Sequence, residues 1–219
     1  MRQSQPFHQL FTIALSGPGQ AGPEVLTREE RLEYDALPYD VQRRRDWLAG
    51  RLAAKGAAAQ RFCIARLDNV RIETRTRQAP VALIGDAGNW KPLPATVSVS
   101  HTAGWGLAAI GDRRCRVGVD IDHRNAIDRS QARYFLTRRE SRALAGRDPA
   151  LLWVQKEAAW KTFGLEDLDA FKNLELDVGG DVIARGAVVR GTRVAVDAAV
   201  WAPAHGLIAA AVWTVAEAA

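Results

Sequence analysis

Five charged side chains between residues 118 and 161 have the types and spacing for phosphate chemistry. Asp120 and Asp122 lie in the run Gly118-Val119-Asp120-Ile121-Asp122, and Lys156, Glu157 and Lys161 in the run Trp153-Val154-Gln155-Lys156-Glu157-Ala158-Ala159-Trp160-Lys161. Carboxylates are ligands for a hard divalent cation such as Mg2+, which keeps several waters and commonly shares its shell with substrate phosphates. Lysines beside them can hold a phosphoryl group and stabilise charge that develops on it. Two carboxylates in an otherwise apolar segment raise each other's ionisation cost, and a cation between them removes that penalty. Each motif also has a plainer reading. Glu157 and Lys161 are spaced i,i+4, which stabilises an exposed helix by about 0.2–0.5 kcal/mol without any ligand, and the aspartates suit the wet face of an edge strand.

The elements that would position these groups follow from periodicity. In an extended strand alternate side chains share a face, so Asp120 and Asp122 project together while Val119 and Ile121 point into a core. On a helix turning about 100° per residue, Trp153, Lys156, Glu157, Trp160 and Lys161 fall within roughly 140° of one another. Asp148-Pro149 is a helix start signal, with Asp as N-cap and Pro at the first helical position, and Gly164 is the stop. Upstream, residues 7–15 read as a strand, Thr27 and Glu30 have capping-box spacing for a helix reaching about Leu37, and residues 40–59 read as a second helix. Segments 63–67 and 70–74 alternate like strands, 85–95 reads as a loop, and 97–110 reads as strand, tight turn and strand. Beyond 122, the pattern predicts short helices over 127–134 and 138–145, then strands through 174–215, notably 174–178, 194–201 and 207–215. Both halves carry helices early and strands late, although no sequence repeat is obvious. The expected fold class is α+β, with two similar lobes, 1–110 and 111–219, related by a pseudo-twofold, each a small antiparallel sheet packed on helices, and with the active site in the cleft between them.

Composition narrows the function classes. The chain has 219 residues and a formal charge of +5, an ordinary globular composition that favours an acidic partner or a phosphorylated ligand. Arg43, Arg44, Arg45, Arg51, Lys55 and Arg61 face only Asp46 as an acid in that stretch, as either a solvated helix face or a phosphate-binding patch. Two cysteines without metal-ligand spacing and four scattered histidines make poor zinc ligands. There is no Gly-x-Ser-x-Gly elbow, Walker loop or Gly-x-Gly-x-x-Gly fingerprint. The N-terminus lacks signal-peptide features and no apolar run would span a bilayer, so the expectation is a cytoplasmic protein with no membrane partner. No recognised nucleic-acid module occurs, so a basic nucleic-acid-binding domain ranks as a third reading.

Together the two runs, about thirty residues apart, resemble the signature of the 4′-phosphopantetheinyl transferases, in particular the longer two-lobed type named after the surfactin synthetase activator. Ser98-Val99-Ser100-His101-Thr102 looks like that family's Ser-His motif and Lys91-Pro92 like its Lys-Pro loop, while Arg45 and Arg51 sit where the family often has arginines. The resemblance covers roughly residues 26–165. It implies transfer of the phosphopantetheine arm of coenzyme A to a serine of an acidic apo acyl-, peptidyl- or aryl-carrier protein, releasing adenosine 3′,5′-bisphosphate. It further implies Asp120, Asp122 and Glu157 as Mg2+ ligands and Glu157 as the group that takes the serine proton. Lys161 would stabilise the phosphate in flight and also contact the coenzyme. Arg45, Arg51, Lys91, Ser100, His101 and Lys156 would be the remaining coenzyme contacts. The single-chain two-lobed form implies a monomer. The alternative within the resemblance is an inactive relative that binds coenzyme A or a carrier protein. Four positions depart from the family pattern: Asp122 stands where Glu is usual, Val154 where Ser, Cys or Thr is common, Trp90 where Gly precedes Lys-Pro, and Gly164-Leu165-Glu166 lacks a second Gly. The first shortens the reach to a metal by one methylene.

Overall fold

The computed structural model describes residues 10–20, 22–74, 78–86 and 88–215. The chain divides into two compact units, Met1–Cys115 and Arg116–Ala219. Each is α+β, with small antiparallel sheets packed on helices, as the sequence predicts.

The first unit contains β1 (Phe11–Ser16), α1 (Arg28–Ala36), α2 (Val41–Phe62), β2 (Val70–Glu73), β3 (Val81–Asp86), β4 (Asn89–Pro92), β5 (Ala95–Thr102) and β6 (Trp105–Asp112). Its main sheet has the order β1-β6-β5, and a separate meander has the order β2-β3-β4. Asp40 caps α2 by accepting from the Arg43 N–H, and Cys63 ends it in the left-handed conformation. Ala53, Ala54, Ala57 and Ala58 of α2 are buried with Val70, Ile72, Val97, Ala108 and Ile110. Burying a side chain the size of Ile72 or Ile110 contributes about 2 kcal/mol. The alanine-rich stripe lets the helix approach closely: a Cβ on Gly106 of β6 would lie 2.1 Å from the Ala49 carbonyl oxygen.

The second unit contains β7 (Cys115–His123), which starts at the boundary residue, then α3 (Arg129–Ala132), α4 (Arg138–Leu144), α5 (Ala150–Thr162), α6 (Leu168–Asn173), β8 (Glu175–Val178), β9 (Ala184–Val189), β10 (Thr192–Ala195), β11 (Asp197–Trp201) and β12 (Leu207–Val215). The main sheet is β11-β12-β7 and the meander is β10-β9-β8. Leu152, Val154, Ala158 and Ala159 of α5 are buried with Ile208, Ala210 and Val212 of β12. Thr162 ties the helix to the sheet, its hydroxyl lying 2.8 Å from both the Ala158 and Val212 carbonyl oxygens.

The two units repeat one chain path. In each main sheet the last strand is central, flanked by the first and the penultimate. In each, a capping-box glutamate is buried and holds three things together. Glu30 accepts from the Thr27 N–H, from the Ile72 N–H of β2 and from Lys55 Nζ of α2 at 2.5 Å. Glu140 accepts from the Thr137 N–H, from the Leu176 N–H of β8 and from Lys156 Nζ of α5 at 2.9 Å. The repeat escapes a scan of the sequence because the spacer between the box and the lysine differs in length and only the Thr, Glu and Lys persist.

Several expectations are corrected. Residues 63–67 are not a strand, because Cys63 caps α2 and a short 3-10 turn occupies Leu67–Asn69. Within 85–95, β4 pairs with β3, Lys91 opposite Ile84, so most of the expected loop is a hairpin strand. Helix α2 runs three residues past 59. Pro149 takes the N-cap position of α5, and Asp148 accepts from the Ala150 N–H instead of capping directly. Helix α6 lies outside every expected element, and within the strand region expected over 174–215 the structure adds β9 and divides 194–201 between β10 and β11. Residues 7–9 of the expected first strand lie outside the described residues.

Glycine 118 fixes how near α5 comes to β7. A Cβ there would lie 1.9 Å from the Ala158 carbonyl oxygen and 2.7 Å from the Thr162 nitrogen. Gly118→Ala is therefore expected to destabilise the protein by about 1–3 kcal/mol through forced backbone displacement, seen as a lower chemical-denaturation midpoint at unchanged m-value.

Candidate active site

All of the site's charged groups belong to the second unit. Strand β7 is buried along its middle, and Gly118 sets its α5-facing side, so Asp120, two residues on, shares that side. Asp120 is 6% exposed, and Lys161 Nζ, reaching across from α5, lies 2.8 Å from its Oδ1 and 3.1 Å from the Val119 carbonyl oxygen. Glu157, one helical turn before Lys161, is half-buried. Its pKa is pushed up from 4.5 to about 7, chiefly by loss of hydration, then by the Asp120 charge, with Asp122 adding a smaller push and Lys161 opposing. Asp122 is less buried than Asp120, and its Oδ1 accepts from the His123 N–H at 2.8 Å.

The structure thus brings Asp120, Glu157 and Lys161 into one electrostatic group, with Asp122 at its edge. Among the described residues no group of three or more His, Cys, Asp or Glu side chains is disposed to hold a metal ion. The aspartate nearest the helix is engaged by an ammonium. The donor chemistry nevertheless suits a hard cation: oxygen ligands only, and three carboxylic acids against one lysine in a partly dehydrated place that favours protonated Glu157 until more positive charge arrives.

The helix face expected to gather Lys156 with Glu157 and Lys161 is split. The Lys156 side chain is fully buried, 2.9 Å from Glu140 and 2.6 Å from the Phe135 carbonyl oxygen, with Nζ 5.8 Å from the centre of the Phe171 ring. Trp153 packs edge-on against Phe135 and Phe171 on that same side. Burial pushes the Lys156 pKa down while Glu140 pulls it back up. Its ammonium is committed inside the protein. Glu140, the group that engages it, carries no sign in the sequence beyond the Thr137-x-x-Glu140 spacing, the same spacing that marks Thr27 and Glu30. Aligning Lys55 with Lys156 sets Gly56 against Glu157 and Gln60 against Lys161. The buried lysine belongs to the shared scaffold, and the half-buried acid and base are what the second unit adds.

The remaining expected contacts lie in the first unit. His101 is exposed near the end of β5, opposite Gly106, and Ser100 is largely buried opposite Leu107. His101 and Arg51 line one cavity of about 210 Å³ together with Trp47, Thr74 and Val99. The Arg51 side chain is itself engaged: it donates to Glu33 at 2.9 Å, to Thr74 Oγ1 and to the Ile72 carbonyl, and its guanidinium lies 4.6 Å from the centre of the Trp47 ring. Arg45 lines a different cavity, of about 480 Å³, with Ser16, Leu48 and Gly104. Lys91 is exposed on β4.

No protein-family model matches this chain, and no curated protein matches it. Among solved structures it is similar to the holo-[acyl-carrier-protein] synthase of Thermotoga maritima, with a TM-score of 0.35 and 18% identity over 58% of this chain and 74% of that one. At that superposition the likeness is partial, and the functional reading rests on the residues above.

Proposed function

We propose that the second unit catalyses transfer of the 4′-phosphopantetheine arm of coenzyme A to a serine of an apo carrier protein. The observation that carries this reading is Glu157, a carboxyl with a pKa near 7 set beside Asp120 and Lys161 in the helix whose sequence resembles the transferase signature. Loss of hydration and the Asp120 charge raise its affinity for a proton, the direction that suits a general base. The serine oxygen forms a bond to the phosphorus that carries the pantetheine arm, and the bond from that phosphorus to the adenosine 3′,5′-bisphosphate oxygen breaks. The serine proton passes to the Glu157 carboxylate, directly or through one water. Lys161 is placed to stabilise negative charge on the phosphate, and Asp120 holds its ammonium at the strand. The nucleophile comes with the partner, which accounts for the lack of any activated serine motif in this chain.

Mg2+ is the proposed cofactor, with Asp120, Glu157 and, directly or through water, Asp122 as its holders; when bound it would neutralise the pyrophosphate oxygens. Lys91, Ser100, His101 and Arg45 are the further coenzyme contacts that the resemblance supplies. Arg51 and Lys156 drop out of that set, because their cationic groups are engaged within the protein. The expected setting is the cytoplasm, with an acidic carrier protein as partner, to which a chain of net charge +5 is electrostatically suited.

Mass spectrometry of apo carrier proteins incubated with the protein, coenzyme A and Mg2+ tests the reading. Each modified carrier should gain the mass of one phosphopantetheine, and the gain should vanish with a chelator or with Asp120→Asn. Coenzyme A binding with no mass gain on acyl-, peptidyl- and aryl-carrier proteins would instead identify a non-catalytic relative.

A further inference from the structure

We propose that the second unit carries a separate binding pocket for a small dianion, formed by Arg129, Arg133 and Arg147 around a cavity of about 230 Å³. The walls come from α3, α4 and the loop that leads into α5, and Leu136 and Leu144 supply buried apolar surface while Ser141 adds a hydroxyl. Three cationic side chains line this one cavity, and an anion held among them would offset their like charge. Three exposed arginines elsewhere in this unit do have acids: Arg139 lies 2.7 Å and 3.6 Å from Asp177 and Glu175, Arg185 lies 2.8 Å from Asp181, and Arg193 pairs with Asp177. Around the cavity two of the three have neutral partners. Arg129 donates to the Gly146 carbonyl at 2.5 Å, which pins the rim, and Arg133 donates to the Tyr134 hydroxyl and stacks 4.8 Å from its ring centre. No described carboxylate forms an ion pair with any of the three. Each guanidinium has five donors in a planar fork, so these single contacts leave donors that match the oxygens of a phosphate or carboxylate.

Size and lining define the ligand class. Pockets for drug-sized ligands start at about 300 Å³, so this one takes a small molecule. Its cationic rim and apolar floor suit two negative charges carried on inorganic phosphate or on a short aliphatic body such as a dicarboxylate. The pocket shares no residue with the Asp120, Glu157 and Lys161 group, and the inference is independent of the transfer reaction.

Titration calorimetry of the full chain with inorganic phosphate, succinate and chloride at low ionic strength tests it. Phosphate or succinate is expected to bind at one site while chloride does not, and the arm that binds more tightly identifies the source of the dianion. Arg133→Ala with Arg147→Ala should weaken that binding about tenfold or more, as loss of charge-assisted hydrogen bonds requires. Because both residues are exposed, the fold should survive, and unchanged circular dichroism checks this. The proposal is overturned if neither dianion binds, or if binding survives the double substitution and is lost instead with Lys161→Ala, which would put the anion at the transfer site.

Discussion

Glu157→Gln is expected to lower the rate of carrier modification by about 10²–10⁴-fold, the usual loss when a positioned base is removed. The same change should make the protein more stable at alkaline pH. The folded-state pKa is raised, from 4.5 to about 7, so the contribution from this group is fully present below 4.5. Between 4.5 and 7 the folded chain keeps a proton that the unfolded chain has released, and stability falls as pH rises through that window. Above it, a half-buried carboxylate faces the charge of Asp120 without a proton. The shift corresponds to about 2 kcal/mol once partial solvent screening is allowed for. Urea denaturation of the wild type in chelator at pH 5 and pH 8 should reveal that slope, and the Gln variant should lose it. A wild-type rate that stays flat from pH 5.5 to 8 together with a Gln variant of normal activity would remove Glu157 from the base role.

How much of this was legible beforehand depends on what each signal measures. The period-two pattern of Gly118 to Asp122 and the caps around 148–164 report local geometry, and both elements form where the pattern puts them. The pairing of Asp120 with Lys161 was within reach of the sequence because both ends carry charge and both elements have a defined face. Lys156 was misplaced for a different reason. It stands only 100° around the helix from Glu157, close enough to pass for the same face. Which way it turns is decided by Glu140, a residue in another helix with no periodic signal of its own. The β3–β4 hairpin and α6 were hidden in the same way, since Gly85, Gly88 and Pro92 read locally as a loop and the six residues of α6 are too few to show a helical period. The internal repeat became visible only through tertiary contacts, when Glu30 with Lys55 and Glu140 with Lys156 proved to be one arrangement used twice.

That repeat gives the second large expected effect. Lys156→Ala should cost about 3–5 kcal/mol of stability, because Glu140 would be left as an unpaired charge with no exposed surface. Lys55→Ala should cost about as much in the first unit, where Glu30 is equally enclosed. Glu140→Gln is less severe in combination than alone, since with Lys156→Met it removes both charges and retains an acceptor for the Leu176 N–H. The double-mutant cycle should therefore return a coupling of about 1–3 kcal/mol. Coenzyme A affinity separates this structural role from the coenzyme contact that the family resemblance assigns to Lys156. At a temperature where the Lys156→Met/Glu140→Gln protein is still folded, its affinity for coenzyme A should match the wild type within about twofold, whereas a lysine that touched a coenzyme phosphate would take about tenfold or more with it. The first unit supplies the internal control: it keeps the Lys–Glu pair but has Gly56 and Gln60 where the second unit has Glu157 and Lys161. If the pair were part of the chemistry, its retention beside those two neutral residues would have no physical explanation.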